Sequence, residues 1–126
     1  MRDETILKSL SVLYVEDDDI LRVGLGKYLR RRFGATYFAQ HGKEGLDLYI
    51  EHDPDIVITD IEMPIMSGNA MIEKILEIDK DQPIIITTAF NDDEHTSRGV
   101  CANLIKPIDV DKLTDAIYHC IGEVTA

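Results

Sequence analysis

Four polar features, far apart in the chain, each close a short apolar run. Val12-Leu13-Tyr14-Val15 ends in Glu16-Asp17-Asp18-Asp19, and Ile56-Val57-Ile58 leads to Asp60. Ile84-Ile85-Ile86 leads to Thr88, and Leu104-Ile105 runs into Lys106-Pro107. Carboxylates from two run ends, if crowded together, repel one another, and a hard divalent cation relieves that repulsion. Mg²⁺ takes about six oxygen ligands at about 2.0–2.1 Å and keeps several waters, which leaves room for a phosphoryl oxygen. Asp60 is then the candidate nucleophile, as carboxylates are wherever an aspartyl phosphate forms. Lys106 offers a mobile point charge and Thr88 a hydroxyl donor to the oxygens of a transferred group. Singly, each feature has a plainer explanation. The acidic run could cap a helix, Asp60 could be an ordinary loop aspartate, Thr88 a strand-end threonine and Lys106 a surface lysine before a turn proline. Their common place, after four different apolar runs, argues for one pocket.

The elements that must position them alternate. Most apolar runs, including Tyr37-Phe38-Ala39, lack period-two alternation, as strands buried on both faces of a parallel sheet do. Between them lie helical stripes: Leu21, Leu25, Tyr28 and Leu29; Leu46, Tyr49 and Ile50; Ile72, Ile75 and Leu76; Val110, Leu113 and Ile117. Asp109 is the expected N-cap of the last helix, and Gly34 and Gly68 punctuate the first and third. Five strand–helix alternations predict an α/β fold with a doubly wound five-stranded parallel sheet. In such sheets ligands bind beyond the carboxyl ends of the strands, where strand order reverses. One segment breaks the rhythm. Asn91 to Gly99 contains no aliphatic residue, so the expectation there is one or two helical turns at most, or a mobile loop.

The 126 residues fit one ordinary domain, expected over 1–126, and the 44% hydrophobic and 29% charged fractions are those of a soluble globular chain. No apolar run is long enough to span a bilayer, and the polar start is unlike a secretory leader, so the expected setting is cytoplasmic. Thirteen basic against 24 acidic residues give a net charge of -11, which disfavours nucleic acid and anionic membrane as partners. Arg30-Arg31-Arg32 closes a predicted helix, where cations complement the dipole; a docking patch is the alternative. Cys101 and Cys120 form no CxxC and are expected as two reduced, mostly buried thiols. His41, His52, His95 and His119 lack metal-ligand spacing and are expected at or near the surface, while Met63 and Met66 are packing residues.

The chain resembles the response-regulator receiver domains of two-component signalling over essentially its whole length. The pieces that carry the resemblance are Tyr14 to Asp18, Asp55 to Gly68, Thr87-Thr88-Ala89 and Lys106-Pro107. It implies a flavodoxin-like strand order, 2-1-3-4-5, in which the lack of aliphatic residues from Asn91 to Gly99 leaves a short or disordered fourth helix. It implies phosphorylation of Asp60 by a sensor histidine kinase or phosphotransfer protein, with Mg²⁺ as cofactor and a downstream protein target. Asp17 would be the closer metal ligand and Glu16 would act through water, with Asp60 and the Glu62 carbonyl completing the set. Thr88 would be the switch hydroxyl, and Lys106 would pair with Asp60 or its phosphate. A cis Lys106–Pro107 peptide is also implied. Such a domain is a phosphoacceptor that assists its own phosphorylation and dephosphorylation, not an enzyme of general turnover.

Two departures fall on the family's output face. The place often held by an aromatic switch residue is Asn103, and the stretch from Thr88 to Lys106 is several residues shorter than usual. An order–disorder readout around residues 91–103 is the resulting hypothesis; equal hydrogen-exchange protection with and without a phosphoryl mimic would count against it. Glu62 and Phe90, at the positions that tune attack of water, suggest slow self-dephosphorylation. An aspartyl-phosphate phosphatase is one rival, but it would place Asp-x-Asp on the first strand. A receiver-like module without phosphorylation is another, and it conflicts with a complete pocket. With the last helix expected nearly to Ala126, no output domain fits, and action through other proteins is expected.

Overall fold

The computed structural model describes residues 3–89 and 99–122. A single 3₁₀ turn, Ile6–Ser9, leads into the first strand. The strands are β1 (Ser11–Val15), β2 (Ala35–Ala39), β3 (Ile56–Asp60), β4 (Ile84–Thr88) and β5 (Ala102–Ile105). The helices are α1 (Asp19–Arg32), α2 (Gly42–His52), α3 (Gly68–Ile78) and α4 (Val110–Cys120). All strand pairs are parallel, in the order β2-β1-β3-β4-β5. Strand order therefore reverses at β1, and the crevice beyond the ends of β1 and β3 is the place a ligand would take.

The unbroken aliphatic runs behave as their composition requires. Every residue of β3 and β4 is buried, because helices cover both faces of the sheet. On one face Leu13, Val15, Val57, Ile84 and Ile86 pack with Leu46 and Tyr49 of α2 and Met71, Ile72 and Ile75 of α3. On the other, Val12, Tyr14, Ile56, Ile58 and Ile85 pack with Leu29 of α1 and Leu113, Ile117 and Tyr118 of α4. The expected helical stripes hold at these positions and fail at their margins: Leu21, Ile50 and Val110 are exposed. Periodicity alone does not fix where a buried stripe ends.

Capping fixes where each helix begins. The Asp18 carboxylate accepts from the Ile20 and Leu21 N–H groups, Ser67 from Ala70, and Asp109 from Asp111 and Lys112. His41 caps α2 by accepting from the Glu44 N–H, and His52 stacks on Tyr37. The arginines that close α1 lie in its last turn, with Arg30 over Phe38 and Arg32 over Tyr28. Gly34 is required by contact, since a Cβ there would stand 2.2 Å from the Lys8 carbonyl oxygen.

The cysteines correct the sequence reading. They are half-buried and joined as a disulfide, with their Cα atoms 5.8 Å apart. Cys101 directly precedes β5 and Cys120 ends α4, so tertiary packing brings together two residues whose spacing gave no sign of pairing. Closing a loop of this length restrains the unfolded chain by about 3 kcal/mol. The expectation for Asn91 to Gly99 falls almost wholly on residues outside those described, as do Phe90 and His95.

Candidate functional site

The site begins with what the strand ends cannot avoid. β1 delivers Glu16 into the interior, where the residue is 1% exposed, while Asp17 turns outward before Asp18 starts α1. β3 delivers Asp60, 8% exposed. Carboxylate oxygens of Glu16, Asp17 and Asp60 all lie within 4.8 Å of one another. β5 delivers Lys106, whose Nζ donates to Glu16 Oε1 at 2.9 Å and lies 3.3 Å from Asp60 Oδ2. Two of the three carboxylates, Glu16 and Asp60, thus face one ammonium.

Further hydrogen bonds fix the carboxylates. The Ile61 N–H donates to Asp60 Oδ1 at 2.8 Å, and the Asp18 N–H donates to Glu16 Oε2 at 3.2 Å. Burial pushes the Glu16 carboxyl above the usual glutamate range, against the pull of Lys106 and of the Asp18 N–H. Burial alone would lower the Lys106 ammonium, but its hydrogen bond to Glu16 and the charge of Asp60 outweigh that and hold it above the usual lysine value. Beneath the site, burial raises the Tyr14 phenol, and the charges of Glu16 and Asp60 add to the rise.

Thr88 ends β4 and is buried; its carbonyl accepts the Lys106 N–H at 2.7 Å, so hydroxyl and lysine are joined through backbone. Glu62 is exposed in the loop two residues beyond Asp60. The Lys106–Pro107 peptide is cis, as the resemblance implied. Met63 and Met66 pack partly buried against the core beneath this loop.

Three residues have a part in the site that the sequence reading did not assign to them. A Cβ on Gly68 would stand 2.0 Å from the Asp60 carbonyl oxygen, and the Gly68 N–H donates to the Ile61 carbonyl at 2.7 Å. Gly68 therefore lets α3 begin directly against the nucleophile's backbone, a contact visible in sequence only as helix punctuation. Arg22 reaches back from α1 to donate to the Glu16 carbonyl at 2.8 Å. Thr87 is the register partner of Asp60 and is buried beside it, a neighbour that strand register would have revealed.

The loop also stores strain. Ile65 has φ 70°, a left-handed conformation that costs a β-branched residue about 1–2 kcal/mol, and it is 79% exposed. Ile65→Asn is expected to raise unfolding free energy by about 1 kcal/mol, measured by urea denaturation, since little burial is lost.

A buried acidic pocket closed by one lysine, at the switch point of a doubly wound parallel sheet, defines a class of phosphate- and cation-handling α/β proteins. Comparison with known proteins narrows this. Residues 12–118 match the response regulator receiver domain family, and the chain belongs to it. It is 34% identical over 110 residues to the chemotaxis protein CheY of Halobacterium salinarum, covering 84% of this chain and 92% of that protein. It is 36% identical over 121 residues to the polar-differentiation response regulator DivK of Brucella ovis, covering 90% and 97%. Among solved structures, the response regulator TrrA of Thermotoga maritima, in complex with Mg²⁺ and beryllofluoride, superposes with a TM-score of 0.78 at 28% identity, covering 88% of this chain and 98% of that one. The chain is thus a receiver domain of two-component systems, a phosphoacceptor of the CheY and DivK kind.

The donor set suits a hard cation: three oxygen ligands, net negative charge and a buried carboxylate with a raised pKa. Mg²⁺ at about ten times its dissociation constant is expected to stabilise the fold by about 1.4 kcal/mol. That corresponds to a rise of about 4 °C in Tm. Protons compete for Glu16, and because its pKa is raised the competition begins at a higher pH than for a free glutamate. The Mg²⁺-dependent shift should therefore be smaller at pH 5 than at pH 8 in parallel thermal scans.

Proposed function

We propose that Asp60 accepts a phosphoryl group from a phosphohistidine of a sensor kinase or phosphotransfer protein, and that the resulting charge is signalled to a downstream protein. The observation that carries this reading is the Lys106 ammonium held between Glu16 and Asp60 at a buried strand-end pocket. In the transfer the donor's P–N bond breaks as an Asp60 carboxylate oxygen bonds to phosphorus. Glu16, Asp17, Asp60 and the Glu62 carbonyl would hold Mg²⁺, which supplies charge neutralisation to the transferred group. Lys106 exchanges part of its pairing with Asp60 for a phosphoryl oxygen, and the Thr88 hydroxyl donates to another. Because Lys106 and Thr88 are joined through backbone, re-pairing at the phosphate pulls on β4 and β5 together.

A docking surface for the donor adjoins the pocket. Ile20, 84% exposed, with Leu21, Pro107 and Val110, forms an apolar groove that Glu16 and Lys106 border. The setting that fits is the cytoplasm, where kinases make phosphohistidine from ATP. Among the described residues no helix is long and apolar enough to cross a membrane.

Acetyl phosphate with Mg²⁺, followed by intact mass, tests the reading. One phosphoryl adduct per chain is expected in the wild type and none in Asp60→Asn. Sustained turnover of a generic phosphoester, without a stoichiometric adduct, would instead support a phosphatase.

A further inference from the structure

We propose that Cys101 and Cys120 form a reversible thiol–disulfide site that couples thiol redox state to the phosphoacceptor pocket, with a small-molecule disulfide of the glutathione class as its oxidant. The inference rests on the cytoplasmic phosphoacceptor reading above. Cytoplasmic thiols are held reduced, so a bond that forms there reports a change of conditions. Neither cysteine is sealed in the core: both are half-buried, within reach of a small thiol.

The position of the bond supplies the coupling. Cys101 enters β5, and its N–H donates to the Ile84 carbonyl at 2.7 Å, fastening the start of β5 to the start of β4. Five residues on, at the other end of β5, stands Lys106, itself fastened to Thr88 at the end of β4. The disulfide ties the first of these ends to the last residue of α4, across 19 positions that include β5, Lys106 and the Asp109 cap. In the oxidised form β5 and α4 move as one body. In the reduced form α4 is held by the apolar contacts of Leu113, Ile117 and Tyr118 and by the Tyr28–Thr114 and Tyr118–Asp3 hydrogen bonds, without a covalent tie to β5, and the strand that carries Lys106 is freer to follow a phosphoryl group. The chemistry balances without a further reagent. Two protein thiols give one S–S bond, and the small disulfide's S–S bond breaks to give two small thiols.

The full chain equilibrated across reduced and oxidised glutathione mixtures, alkylated, and read by intact mass tests this. Dithiol and disulfide forms should both be populated, with far-UV circular dichroism showing a folded protein in each. Coupling between sites is reciprocal, so beryllofluoride with Mg²⁺ should move the crossover ratio by about fivefold or more. The Cys101→Ser/Cys120→Ser variant should bind beryllofluoride with one affinity in every glutathione mixture. A bond that yields only when the fold is lost is a structural staple and overturns the proposal. So does a crossover ratio that beryllofluoride leaves unchanged in a protein that does take a phosphoryl group from acetyl phosphate. A protein that takes no phosphoryl group in either redox state defeats the functional reading instead, and the glutathione titration alone then decides whether the thiol site is reversible.

Discussion

Lys106→Ala is expected to lower the unfolding free energy of the metal-free protein by about 3–5 kcal/mol at neutral pH, by urea denaturation. Its ammonium is the partner of a carboxylate that is 1% exposed, and it also faces Asp60 at 3.3 Å. Removing it leaves two carboxylates in a low-dielectric pocket with nothing between them. Glu16 limits the damage by taking up a proton. Its pKa is already raised, so the folded form holds that proton at pH values where the unfolded chain has lost it. The variant should therefore be most stable at mildly acidic pH and lose stability as pH rises toward 8. Mg²⁺ should restore part of the loss. Phosphoryl uptake from acetyl phosphate should fall by about 10²–10³, the usual consequence of removing one preorganised donor. A loss below about 1 kcal/mol, with no dependence on Mg²⁺, would mean that the pocket is wetter than its geometry implies.

Gly68→Ala should be almost as damaging, for a steric reason. The added methyl would meet the Asp60 carbonyl oxygen at 2.0 Å and the Ile61 Cα at 2.9 Å. Both are backbone, so no side chain can swing aside. Either α3 backs away from the sheet or the peptide after Asp60 rotates, at a cost of about 3 kcal/mol or more. The expected signature separates this variant from Lys106→Ala: the loss should be independent of pH between 5 and 8, and Mg²⁺ should give little rescue. Adduct formation measured by intact mass should drop by at least tenfold, because the Ile61 N–H that orients Asp60 moves with the same peptide. A Gly68→Ala protein of wild-type stability would require a different path for α3.

Most of the site was legible because the sheet enforces it. A parallel strand buried on both faces reads as an aliphatic run, so its end is visible in sequence, and Glu16, Asp60, Thr88 and Lys106 all mark such ends. The order of strands came through the family motif, since alternation gives the doubly wound class without saying which strands are neighbours. What stayed hidden was mostly non-local. Cys101 meets Cys120 only because α4 packs under the edge strand, and Gly68 meets Asp60 only because α3 starts where β3 stops. The edge strands also ran longer than their apolar residues suggested. β5 spans Ala102–Ile105 and carries an exposed Asn103, as an edge strand can, while β2 begins at Ala35 rather than Tyr37. The left-handed Ile65 had no signal, because a β-branched residue argues against the conformation that it adopts.

The ion pair between Glu16 and Lys106 joins residues 90 positions apart, just beyond the ends of β1 and β5. A growing chain that has not yet emerged as far as β5 owns every acidic group of the pocket and no counterion for them. It can neither bury Glu16 cheaply nor neutralise an incoming phosphate. The pocket therefore becomes complete late and all at once, when β5 docks and Lys106 meets its carboxylates.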